Sequence, residues 1–82
     1  MDRAYVFQQI KEHLEEMYNV DEAVIVESAT FVDLLGKDPE EGVRIVLAIE
    51  DQFEIQITDE EVQSIKTLKQ FVDLVMKKTG GR

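Results

Sequence analysis

Asp38-Pro39-Glu40-Glu41-Gly42-Val43-Arg44-Ile45-Val46-Leu47-Ala48-Ile49-Glu50-Asp51-Gln52-Phe53 is the stretch on which the reading of this chain turns. Proline is favoured at the first position of a helix, where its missing N–H would have no intrahelical partner anyway. An aspartate just before it can lend a carboxylate oxygen to the free donors of the first turn. Glu41 stands three residues after that cap and completes a capping-box pattern. Val43, Val46, Leu47, Ile49 and Phe53 then recur at helical spacing and predict the buried face, which leaves Glu40, Arg44, Glu50, Asp51 and Glu54 mostly to solvent. A helix starting at Pro39 is therefore the fixed point of the fold.

Upstream, Phe7, Ile10, Leu14 and Met17 recur at spacings of three, four and three, with Val6 and Tyr18 widening the stripe. They predict a first helix over residues 2–19, with Asp2 as N-cap and Asn19 ending it in the left-handed conformation. Residues 20–37 show no helical period. Val24-Ile25-Val26 has the composition of a strand, but no second strand exists to pair its backbone groups, so this is read as a long loop. Phe31, Leu34 and Leu35 are expected to pin it to the core. Downstream, Thr58-Asp59-Glu60-Glu61 repeats the helix-start signal before a short helix with only Val62 and Ile65 to bury. Thr67 then caps a last helix carrying Leu68, Phe71, Val72, Val75 and Met76 at core spacing, with Lys77 and Lys78 suited to its C-terminus.

The fold class that follows is all-α: a four-helix bundle, three helices longer and one short, with a long loop between the first and second. One domain over residues 1–79 is expected, with 80–82 as a flexible tail. With 82 residues, such a domain buries only about 60% of the surface its unfolded chain exposes, so the core must be dense in aliphatic side chains.

Composition narrows the function. The absence of cysteine excludes disulfides, thiolate metal sites and cysteine nucleophiles. No apolar run approaches the ~20 residues that span a bilayer, and no leader pattern opens the chain, so a cytoplasmic protein with no membrane role is expected. Net charge is −9, and it is unevenly spread. Residues 1–61 hold 17 of the 18 acids against Arg3, Lys11, Lys37 and Arg44, a balance of −13; residues 62–82 stand at +4. That distribution argues against nucleic acid as a partner, because phosphate binding needs clustered cations. It favours proteins with basic docking surfaces and disfavours self-association, so a monomer is expected.

The order of parts, and the residues at their joints, resemble the acyl carrier protein family over nearly the whole chain. The most specific region runs from Ala29-Thr30-Phe31-Val32 through Leu35-Gly36-Lys37-Asp38 and Val43–Phe53 to Ile55-Gln56-Ile57-Thr58-Asp59-Glu60-Glu61 and Ile65-Lys66-Thr67-Leu68. The family's signature is Asp-Ser-Leu at the start of the second helix. Its serine is esterified by 4′-phosphopantetheine, whose thiol carries acyl groups, and the leucine and the acids beyond it form the docking surface. By that resemblance Asp38 is retained, Pro39 occupies the attachment-serine position, and Glu40 occupies the leucine position. Arg44 stands where the family usually has an acid, and Leu34 where it commonly has aspartate.

The resemblance implies two cofactor-site residues, Asp38 and an unmodifiable Pro39. It also implies a docking set of Glu40, Glu41, Arg44, Glu50, Asp51 and Glu54. Proline has no side-chain heteroatom with which to attack coenzyme A, so no cofactor is expected here. Ser28 and Ser64, the only serines, lie on other elements. His13 is alone on a charged face and is expected in solvent. The acids at 59–61 suit a helix N-terminus better than a metal ion, so no metal site is expected. With one histidine and no nucleophile paired to a base, an enzyme is not expected. The expected function is a non-catalytic docking or regulatory partner of acyl-carrier-handling enzymes. The alternative is a working carrier of fatty acid or polyketide metabolism with a non-standard attachment site.

Overall fold

Residues 2–80 are described by a computed structural model. They form α1 (Arg3–Tyr18), a 3₁₀ turn (Glu22–Val24), α2 (Phe31–Leu35), α3 (Pro39–Phe53), α4 (Asp59–Ser64) and α5 (Leu68–Lys78). No strand occurs among these residues; Thr30 and Thr67 make one isolated antiparallel bridge. Of the expected tail, Gly81 and Arg82 lie outside the described residues.

Each terminus of α1 ends as its sequence requires. The Asp2 carboxylate accepts the Tyr5 N–H at 2.9 Å, and Asn19 closes the helix at φ 56°, ψ 37°. Both later helices start with reciprocal capping boxes, Thr58 with Glu61 and Thr67 with Gln70. α3 departs from the expected box. Asp38 accepts the N–H of Glu40 rather than that of Glu41, at 3.0 Å, and the Glu41 carboxylate turns toward Arg44 instead. An aspartate folding back two residues across a proline already satisfies one donor, and the neighbouring guanidinium draws the glutamate away.

The long loop is not wholly irregular. Thr30 accepts the Asp33 N–H at 3.1 Å and starts the five-residue α2, which ends at Gly36 with φ 86°. The flanking chain is tied to the start of α5. The Leu68 and Lys69 N–H groups donate to the carbonyls of Ala29 (3.0 Å) and Glu27 (2.8 Å), and the Phe31 N–H donates to Lys66 (3.0 Å). The first donors of α5, which have no partner inside the helix, are thereby satisfied by the loop. Arg3 closes the same corner, its guanidinium bonding both Glu27 and Asp73.

α1, α3 and α5 supply most of the core. Val6, Ile10 and Leu14 face Ile45, Val46 and Ile49 and also Leu68, Phe71, Val72 and Val75, with Ile25 and Ile57 added from the connections. Phe31 leaves α2 to meet Phe71 edge-on, ring centroids 5.6 Å apart, and with Leu34 and Leu35 packs against the core as expected. α2 and α4 bury no residue fully and lie outside the three-helix core. One face was misassigned by sequence pattern. Ile45 is buried, whereas Val43 and Leu47 are 45% and 58% exposed.

Candidate functional site

The start of α3 is supported from three directions. Asp38 caps it, Pro39 fixes the first helical φ, and the Tyr18 hydroxyl from the end of α1 donates to the Glu41 carbonyl at 2.6 Å. Burial raises the Tyr18 hydroxyl above its ordinary pKa, against the opposing pull of Arg44. The Arg44 guanidinium lies 5.7 Å from the centre of the Tyr18 ring and 3.6 Å from the Glu41 carboxylate.

Pro39 is exposed and forms part of the wall of an apolar groove of about 680 Å³. Phe31 and Val32 of α2, Val43 and Val46 of α3, and Val62 of α4 supply most of the rest, with Ile65 and Lys66 at the far side. The α4 wall of this groove is held by one charged contact. Glu61 accepts the Thr58 N–H at 2.9 Å, and the same oxygen meets the Lys78 ammonium at 2.8 Å. Those bonds, Lys78 first, hold the Glu61 carboxyl down at about 2.

The residues assigned to docking fall into two sets. Glu40, Arg44, Asp51 and Glu54 are exposed along the outer side of α3. Glu41 is half-buried beside Arg44, and Glu50 is turned inward, accepting the Ile57 N–H at 3.1 Å. Glu54 closes α3 in the left-handed conformation, φ 55°. Sequence pattern missed the two apolar members of this surface, Val43 and Leu47, as well as the Tyr18–Arg44 contact. The spacing of 40, 44, 47 and 51 would have revealed Leu47 as a neighbour of the charged residues.

The Tyr18 hydroxyl that meets the start of α3 is engaged by the Glu41 carbonyl. Residues 31–57 contain no serine, threonine, tyrosine or cysteine. Ser64 donates to the Glu61 carbonyl at the end of α4, and Thr30, Thr58 and Thr67 accept backbone N–H groups as caps. His13 is half-buried rather than free in solvent, 2.6 Å from Gln52 across the α1–α3 seam. Among the described residues no three histidine, aspartate or glutamate side chains gather as metal ligands would, and no helix is long and apolar enough to cross a membrane.

A small helical domain with this order of parts and a capped central helix belongs to a known class. Residues 8–75 match the family model described as the phosphopantetheine attachment site. The crystal structure of an acyl carrier protein from Thermotoga maritima superimposes with a TM-score of 0.85 at 31% identity, covering 99% of this chain and 94% of that one. The acyl carrier protein of Enterococcus faecalis gives a TM-score of 0.78 at 24% identity, over 95% of this chain and 99% of its own. The chain belongs to the acyl carrier protein family. Members of that family carry cargo between acyl-carrier-handling enzymes and do not catalyse, so this chain is not an enzyme.

Proposed function

We propose that this chain is a carrier-like protein without an arm, which docks on or regulates an acyl-carrier-handling enzyme and does not itself hold an acyl thioester. The observation that carries this reading is chemical. By the family resemblance Pro39 takes the serine position, and residues 31–57 offer no hydroxyl or thiol in its place. Attaching 4′-phosphopantetheine requires an oxygen that attacks the coenzyme A pyrophosphate, and the proline ring has none. The residues at the start of α3 therefore do not fit the family's cofactor. Asp38 remains, but its carboxylate is engaged in capping the helix.

Docking is supported by what α3 presents. Glu40, Asp51 and Glu54 remain exposed beside Val43 and Leu47, a surface suited to a partner that is basic around an apolar contact. The net charge of −9 opposes tight self-association, which fits a monomer. A cytoplasmic setting agrees with a chain that has no cysteine to oxidise.

The test is direct. The protein is incubated with coenzyme A and a phosphopantetheinyl transferase of broad specificity, and its intact mass is measured. An unchanged mass is expected. An adduct of one phosphopantetheine would overturn the proposal and make the chain a working carrier with a non-standard attachment residue.

A further inference from the structure

The outer side of α3 carries one continuous row. Glu40, Arg44, Leu47, Asp51 and Glu54 follow one another at spacings of four, three, four and three, which place them on one face of a helix, and all five are exposed. Val43 flanks the row between Glu40 and Leu47. Arg44 is the single cation of α3, set among acids and apolar residues.

That cation is held in place. The Tyr18 ring lies 5.7 Å from its guanidinium carbon, and Glu41 pairs with it at 3.6 Å. Tyr18 is in turn fixed by its bond to the backbone carbonyl of Glu41, so its ring and the Glu41 carboxylate flank the guanidinium from two sides. The Arg44 side chain nevertheless stays 59% exposed, while that of Glu41 is 31% exposed. A guanidinium has five N–H donors, and one carboxylate leaves part of its edge free for another acceptor. These two contacts restrict the guanidinium before any partner arrives, which lowers the ordering cost of using it at an interface.

We infer that Arg44 is a specificity-determining residue of the α3 surface, turning away partners that are basic along their whole docking face and admitting one with a carboxylate opposite Arg44. The admitted partner is a protein surface basic opposite Glu40 and Asp51 and apolar opposite Val43 and Leu47. Like charges brought together at an interface repel, and a single reversed charge in an otherwise complementary row is an effective means of discrimination. This inference rests on the docking reading proposed above.

The experiment measures competition. The chain and its Arg44→Gln and Arg44→Glu variants are added as inhibitors while a broad-specificity phosphopantetheinyl transferase modifies an ordinary acyl carrier protein. Circular dichroism melts confirm that each variant is folded. At low salt Arg44→Glu should inhibit about tenfold more strongly than the parent, with Arg44→Gln between, and the difference should close at about 0.5 M salt as the charges are screened. Equal inhibition by all three, or strongest inhibition by the parent, overturns the inference and leaves the docking reading standing. No inhibition by any of them overturns the docking reading and the inference with it. Self-association of the parent that Arg44→Glu abolishes would make a second copy the occupant of the row, and would also overturn the inference.

Discussion

Replacing Pro39 by serine tests the proposed loss of attachment and the proposed docking surface with a single residue. Asp38 already caps α3, so a serine at the next position adds no cap; what it removes is the ring's restriction of the unfolded chain. That loss is about 0.4–1 kcal/mol. In a domain of this size each kcal/mol moves the midpoint by roughly 4–8 °C, so the variant should melt roughly 2–8 °C below the parent and remain folded. The new hydroxyl sits at an exposed position, open to an enzyme. Glu40 beside it is also exposed, and by the resemblance it meets a transferase at the apolar contact of the leucine it replaces, where desolvating its carboxylate without a cation costs about 1–3 kcal/mol. Since 1.4 kcal/mol is about tenfold, Pro39→Ser combined with Glu40→Leu should be labelled about 5- to 140-fold faster than Pro39→Ser alone. The assay follows transfer from coenzyme A by intact mass over time. Equal rates would refute the obstructive role given to Glu40. A double variant that folds and melts normally but takes no label would refute the placement of residue 39 at the attachment position.

Four further outcomes follow from the packing and charges. Ile49→Ala should lose about 2–5 kcal/mol in urea unfolding, because Ile49 is wholly buried, whereas exposed Leu47→Ala should change stability by no more than about 0.5 kcal/mol. Glu61 has a folded pKa of about 2, below the ordinary 4.5, so its contribution is complete above the ordinary value and is lost as pH falls from 4.5 toward 2. Glu61→Gln should therefore flatten part of the acid-unfolding curve in that range, read from urea midpoints at successive pH values. Asp73 is also held below its ordinary value, chiefly by its bond to Arg3, so Arg3→Met should reduce stability at neutral pH by about 0.5–1 kcal/mol, with the difference from the parent shrinking in acid. Raising salt from low values should raise the melting temperature, because screening relieves repulsion within the −13 of residues 1–61.

The helix ends were the most legible part of this sequence because they depend on few residues at fixed offsets. Asp2, Asn19, Thr58 and Thr67 each do what their local chemistry dictates. α2 escaped notice because five residues are too few to show a period, although Thr30 with Asp33 three residues on carries the same start signal as Thr58 with Glu61. The face of α3 was misread for the opposite reason. Val43, Ile45, Val46, Leu47, Ala48 and Ile49 are apolar almost without interruption, so several faces fit the pattern, and only packing against α1 in the shared core selects Ile45 over Leu47. The contacts of Tyr18 with Arg44 and of Lys78 with Glu61 join residues distant in sequence, and nothing local announces them.

The fold does not depend on what residue 39 can attach. α3 is started by Asp38, by a favourable proline and by the Tyr18 hydroxyl on Glu41, and none of these needs a serine. The proposed loss of attachment chemistry therefore asks nothing of the bundle, and the outer row of α3 is free to vary without penalty to the core. Under those conditions stability alone gives little reason to keep Val43 and Leu47 exposed, since neither contributes a fully buried side chain. With Val32, also exposed and on the same groove as Val43, they form an apolar surface that a folded monomer gains little from presenting to water. On the docking reading proposed above, a second molecule covers that surface, and the charged residues on either side restrict which molecule it is. The expectation is concrete: Leu47→Asp should leave the melting temperature within roughly 4 °C of the parent while abolishing competition for the transferase. A variant that competes as well as the parent would show that the exposed apolar residues are incidental.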